Sequence, residues 1–365
     1  MRLLLPLLVC LAAFANQDPV PEFEKVLQAG RDAYSRGQYA SSLATFEKAW
    51  KLVEQADFKD PKRYDALEAL TSANIALKKY DEAEAWLQLA INWREVAISR
   101  TDPSIADEYV KLIGILRGKK EFERALFVAQ QARFMRWRPG MSENIRLAED
   151  TARLGLIHLD MEQPDAALDD YRQALGVLDR VIGPDHPQVL PMLDRVGELE
   201  NSQRAYDRAE ATFRRALVIR ERIHGGDHAD LIATLDGLAY SLFGQRRYDD
   251  AEPVYKRLLG IWEVSAGPEH PMVALTLDKI ATFYSEQGKL EESQAAVDRS
   301  LAIRTGFLTG ALSEEAKRQL VRERKAEAKA VFTQAVDAME VERKKVVPEE
   351  KPAALVRKAA PVRRK

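Results

Sequence analysis

Cysteine occurs once in the 365 residues, at Cys10. Downstream of that residue there can be no disulfide, no thiolate metal site and no cysteine nucleophile. Long apolar runs are also missing after the first fifteen residues, so no later segment is long enough to cross a bilayer as a helix. Charge of one sign does not dominate: 55 Lys and Arg stand against 57 Asp and Glu, a net charge of -2, and nothing in that total calls for nucleic acid. No G-x-S-x-G elbow, phosphate-cradling glycine loop, dinucleotide fingerprint or His-Glu-x-x-His pair occurs. No catalytic residue, metal or cofactor is therefore expected.

The two ends differ from the middle. Residues 1–15, "MRLLLPLLVCLAAFA", combine Arg2, an apolar stretch and Ala13-Phe14-Ala15 in the small-x-small pattern of a signal-peptidase site. They predict a signal peptide cut after Ala15 and an exported product, periplasmic or secreted, with no transmembrane segment left after cleavage. A retained anchor is the alternative; Val9 ahead of Cys10 argues against a lipoprotein box. At the other end, 313–345 reads as a charged helix with Leu320, Ala328, Phe332, Ala335 and Met339 at helical spacing, suited to capping an apolar end. Residues 346–365 are rich in Pro, Ala and basic groups and read as a disordered tail. From 343 on, the excess is +7, so the part between leader and tail carries about -10.

What is present is a repeat. "VIGPDHPQV" around His186, "RIHGGDHAD" around His228 and "SAGPEHPMV" around His270 stand 42 residues apart. The same period aligns a compact residue (Gly30, Thr71, Ile113, Gly155, Gly197, Ala239, Ala281) and, nine further on, a mostly large one (Tyr39, Tyr80, Phe122, Pro164, Tyr206, Tyr248, Leu290). Three beyond comes a tiny residue (Ser42, Ala83, Ala125, Ala167, Ala209, Ala251, Ser293). Offsets of three and four on good helix formers put these on one helical face, where small residues admit close approach and aromatics fill the space beside them. Each unit is thus a helical hairpin turned by stretches such as "KKY" and "RRY". Pro164 and Pro253 are expected near the starts of second helices. In the loops, Asp or Glu is expected to cap a helix, Pro to start it and His to bond within the turn. His224, Asp227 and His228 are the nearest approach to a zinc set, but Gly225 and Gly226 part them from a helical scaffold. His158, in "LIHLDME", is expected in the groove or core of the fourth unit. "ARFMRWRPG", with Arg133, Phe134, Arg136, Trp137 and Arg138, could grip a partner, although exposed and packed sides of one helix end explain it as well.

The pattern resembles the tetratricopeptide repeat, and "ALVIRERIHGGDHADLIATLDGLA" with "GPEHPMVALTLDKIATFY" is similar to the 42-residue repeats of kinesin light chains and their bacterial relatives. The resemblance covers residues 22–308 as units of about 22–63, 64–105, 106–147, 148–189, 190–231, 232–273 and 274–308. It implies an all-α solenoid, a right-handed superhelix whose first helices line a concave groove for peptides or protein segments, without catalytic residues. Carried onto the last three units, the groove positions give a ladder of Asp194, Asp236 and Asp278. Beside it stand Glu198, Asn201, Tyr240, Phe243, Thr282, Ser285 and Glu286. Such a groove would suit a basic protein or peptide segment, the chain's own tail among the candidates. The function expected is a scaffold or adaptor; the alternative is an envelope tether in which the basic tail holds anionic lipid or cell-wall polymer.

Overall fold

The computed structural model describes residues 19–56, 62–97, 104–137 and 142–308. The signal peptide, the helix 313–345 and the tail 346–365 expected from the sequence lie outside the described residues. Among those described there are fourteen α-helices and no strand. They are α1 (Pro19–Ser35), α2 (Tyr39–Ala56), α3 (Lys62–Ala76), α4 (Tyr80–Ala97), α5 (Ile105–Gly118), α6 (Phe122–Arg136), α7 (Ile145–Asp160) and α8 (Pro164–Val181). Then follow α9 (Leu190–Ser202), α10 (Tyr206–His224), α11 (Ile232–Gly244), α12 (Tyr248–Ala266), α13 (Pro271–Glu286) and α14 (Leu290–Leu308). Short 3-10 turns at Pro187–Val189 and Ala229–Leu231 lead into α9 and α11. The described residues fall into two compact units, divided between Leu199 and Glu200.

The periodic positions explain the hairpins. The seven large residues each open the second helix of a hairpin, and the tiny residue three later is fully buried in every case, from Ser42 to Ser293. A larger side chain there would force the paired helices apart. Within the first unit, a Cβ added to Gly30 would fall 2.4 Å from the Phe46 ring, and one on Gly155 3.0 Å from Tyr171. The third hairpin reverses the sizes: Ile113 stands where its siblings are small, and Ala129 where they have a larger residue, aromatic in four of the six (Phe46, Tyr171, Phe213 and Tyr255). Volume is thereby conserved. In the first and last hairpins the tiny residue is serine, and its hydroxyl donates to the opposing helix, Ser42 to the Gly30 carbonyl at 2.9 Å and Ser293 to that of Ala281 at 2.7 Å.

Each hairpin turn needs one left-handed residue. It is Gly37 and Gly288 in the outermost hairpins, but Lys78, Lys120, Glu162, Arg204 and Arg246 between them, with φ of 58–62°. These non-glycine residues carry strain of about 1 kcal/mol each, offset by paired turn bonds such as Lys78 N–H to Ile75 and Lys79 N–H to Asn74, both 2.9 Å. Pro164 is the first residue of α8, as expected, whereas Pro253 is the sixth of α12 and removes one interior helix bond. The expected unit boundaries at 64, 148 and 274 fall two or three residues inside α3, α7 and α13, because the capping loops belong with the helix that follows them.

Candidate partner-binding surface

In the second unit, α11 and α13 carry most of the expected groove positions. Tyr240 is 49% exposed, its ring edge-on to Tyr206 at 6.0 Å. Leu275, one turn before Asp278, is 46% exposed. The aspartates one turn from each are not bare. Lys279 donates to both oxygens of Asp236, at 2.6 and 2.7 Å, and Asp278 accepts from Ser300 at 2.6 Å and pairs with Arg304. Tyr255, in the core, has its hydroxyl pKa pushed up by burial and further by Asp236 and Tyr240. Thr282 donates back to the Asp278 carbonyl, Ser285 is half-buried, Glu286 is exposed, and Phe243 packs against the core 6.0 Å from the Tyr248 ring. Asn201 departs from the groove assignment: its side chain is buried, and its amide donates to the Gly237 carbonyl at 2.9 Å, tying α9 to α11. In the first unit, Asp194 is half-buried and Glu198 is exposed and paired with Arg195 at 3.0 Å.

The pairing cations were missed from the sequence, although a signal existed. Lys279 lies 43 residues after Asp236, and the same offset joins Glu68 to Lys111 and Asp160 to Arg117 on other first helices. Leu275 was missed because a single apolar residue on a polar face looks like core.

The first unit also holds an open cleft of about 970 Å³ lined by Gln130, Arg133, Phe134, Trp137, Arg172 and Arg180, among others. Arg180 is held there by Glu143 at 2.7 and 3.0 Å. The basic aromatic stretch thus divides: Arg133, Phe134 and Trp137 line the cleft, Arg136 is buried, and Arg138 lies outside the described residues. His158 is half-buried within its hairpin, its Nδ1 2.6 Å from Asp170, a carboxyl whose pKa burial pushes up although the histidine pulls it down.

The histidine loops correct an expectation. The cap is the histidine rather than the neighbouring acid: Nδ1 of His186, His228 and His270 accepts the N–H two residues on, at 3.3, 3.2 and 3.2 Å. That bond places the ring proton on Nε2. Asn144, 42 residues before His186, caps α7 through its Oδ1 at 3.0 Å, so the irregular third loop keeps register at this point. The expected trio His224, Asp227 and His228 is also revised: the carboxylate beside the two imidazoles is that of Asp230.

Comparison with known proteins bears on the whole array. The tetratricopeptide-repeat family matches residues 147–217, 188–259 and 230–306, and again 27–103. No curated protein matches the sequence. Among solved structures, BtubC (BKLC) from P. vanneervenii is 17% identical, with 63% of this chain and 92% of that one covered at a TM-score of 0.51. The C-terminal part of a repeat-containing protein from Cytophaga hutchinsonii is 15% identical, with 76% and 95% covered, at 0.56. A putative kinesin light chain from Podosopora anserina is 15% identical, with 57% and 98% covered, at 0.50. At these identities the likeness is one of fold.

Proposed function

The chain belongs to the tetratricopeptide-repeat family, and on that premise we propose that it is a non-enzymatic scaffold holding a segment of a protein partner along the first helices of its second unit. The carrying observation is that Tyr240 on α11 and Leu275 on α13 are both half-exposed, each one turn from a carboxylate paired with a neighbouring cation. Apolar groups of this size left open beside switchable ion pairs suit a segment that buries an apolar side chain and exchanges a charge partner. A basic segment fits if it takes over Asp236 or Asp278 from Lys279 or Arg304. Net gain from that exchange is small, because an exposed pair contributes at most about 1 kcal/mol, so the apolar contacts carry the affinity and the charges the selectivity.

The chain's own tail is the ligand to try first. A labelled peptide copied from 346–365 should bind saturably to protein ending at Lys345, more weakly as salt rises, and more weakly to the double variant Asp236→Asn, Asp278→Asn. Absence of saturable binding, or equal binding to the variant, would remove the basic-ligand part of this reading. Partner capture from an envelope fraction tests the rest: loss on Tyr240→Ser with Leu275→Ser supports a scaffold, whereas loss on deleting 346–365 alone supports the tether. The cleft at Phe134 and Trp137 favours a second docking place, open to a segment with apolar and acidic groups that could meet Arg133 and Arg172. Export, on the strength of residues 1–15, is part of the proposal; an N-terminus at Asn16 in the native protein would support it.

A further inference from the structure

Three histidine loops occupy equivalent places, and one of them departs from the other two in the same direction twice. Where the second loop has His224, its siblings have Ile182 and Ala266; where it has Asp230, they have Gln188 and Met272. In a repeat array the shared residues serve the fold, so paired departures at one loop ask for a separate account.

The two departures meet. His224 Nε2 lies 3.1 Å from Asp230 Oδ2, the His224 and His228 rings are 4.6 Å apart and nearly parallel, and one ligand atom from each of the three residues lies within 4.8 Å of the others. Two ligand atoms on one tetrahedral zinc ion sit about 3.4 Å apart, so binding would draw the three together by up to about 1.4 Å and turn the stacked rings toward a shared ion. The cap bond keeps His228 Nδ1 free of a proton, and the same atom lies 3.6 Å from Asp230 Oδ2, so an ion bound there would take the place of the Asp230 N–H.

The loop is also better braced than its glycines suggest. His224 is the last residue of α10 and His228 caps the 3-10 turn into α11. Between them, the Gly226 carbonyl accepts from Arg257 of α12 at 3.1 Å from Nε. The guanidinium charge is met by Glu221 at 2.6 Å, which limits its opposition to a cation nearby. All three candidate ligands remain accessible, with side chains 32–55% exposed.

We propose that His224, His228 and Asp230 bind a divalent transition ion of the zinc class, tying the end of α10 to the start of α11. Two imidazoles and one carboxylate suit Zn²⁺ and leave a fourth position for water or for a side chain of a partner. The site is independent of the docking surface proposed above, since its ligands lie in the loop between α10 and α11.

The test is a calorimetric titration of Zn²⁺ into the full chain, beside His224→Ala, Asp230→Asn and His186→Ala, with circular dichroism confirming equal helicity. The His186 variant loses a cap but none of the three ligands, and Cys10 is common to all. One saturable site should appear in the parent and in His186→Ala, weakened at least about tenfold, the smaller effect of losing even an outer-shell partner, in the other two variants. Zn²⁺ should raise the melting temperature of the parent and not of His224→Ala. No saturable binding by the parent, or undiminished affinity in both His224→Ala and Asp230→Asn, would overturn the proposal.

Discussion

The joint between α6 and α7 and the joint between α12 and α13 occupy the same place in their repeats and are built from opposite materials. At the first, Arg136 and Asp150, both nearly inaccessible, pair at 2.7 Å, with Arg153 on the same carboxylate at 2.6 Å. At the second, the equivalent positions hold Trp262, which stacks on His270 at 5.9 Å, and Thr276, whose hydroxyl bonds within its own helix. The contrast runs through the array. The same two positions are Val53 and Ala66, Arg94 and Glu108, Leu178 and Met192, and Arg220 and Thr234. Backbone geometry is repeated from hairpin to hairpin, while the chemistry of each joint is individual. Matched pairs of this kind would penalise a hairpin docked on the wrong neighbour, because a buried arginine without its carboxylate is costly.

The ionic joint should therefore be the most fragile to one change and the most tolerant of two. Asp150→Ala takes from Arg136 the buried one of its two carboxylates and leaves it the exposed Asp107, and is expected to cost about 2–3 kcal/mol. Burial already pushes the Asp150 pKa up against the pull of Arg136 and Arg153, and Arg136 Nε and Asp150 Oδ2 have no partner. Importing the apolar pair, Arg136→Leu with Asp150→Met, should be neutral or stabilising in urea unfolding, in the way buried ion pairs replaced by packed apolar groups are. A double variant as damaged as the single one would show that the pair does more than hold the joint.

The histidine joints should respond less. His270→Ala removes the cap of α13 and should cost about 1 kcal/mol, with His270→Asn recovering most of it, as Asn144 serves at the equivalent place. Equal loss in both variants would shift the weight to stacking on Trp262. Smaller still, Lys120→Gly at a left-handed turn residue should raise stability by roughly 0.5–1 kcal/mol, as the outermost turns already have glycine. A destabilised Lys120→Gly would mean that the lysine side chain has contacts that outweigh the strain.

The smallest effect expected is one of pH. Glu252, bonded by Lys256 and then by Lys289 and Tyr284 against an opposing desolvation, has its pKa lowered from 4.5 to about 2. Its folded value is below the unfolded one, so its contribution is present above pH 4.5 and is lost as pH falls toward 2. Melting followed from pH 5 to pH 2 should show a shallower decline for Glu252→Gln than for the parent; parallel curves would deny the carboxylate this role.

Much of the fold was legible because the 42-residue period repeats every constraint several times. The tiny residues from Ser42 to Ser293 are all fully buried, as a close helix approach requires. The sequence put the aspartates on first helices but did not show which cations pair with them. The partners of Asp236 and Asp278 are Lys279 and Arg304, on other helices; the first follows an offset of 43 that other first helices share, whereas the second depends on side-chain reach. Asn201 shares the groove spacing, yet is buried against Gly237 because glycine there opens a carbonyl to it. The histidine cap was half-visible: the loop was read correctly as a helix start, and the wrong neighbour was given the bond, since Asp and Glu are the commoner caps.

If the chain is an array of interchangeable hairpins joined by individual pairs, its unit of deletion is 42 residues and no fewer. Removing 206–247 takes out one second helix and the following first helix and leaves every remaining joint pair intact, whereas removing 206–226 takes half a period. Far-UV circular dichroism with a urea melt on both deletions should find the first still helical and unfolding as a coupled array, and the second partly unstructured with a broad, weak transition. Two deletions that fold equally well, or two that fail equally, would contradict the account.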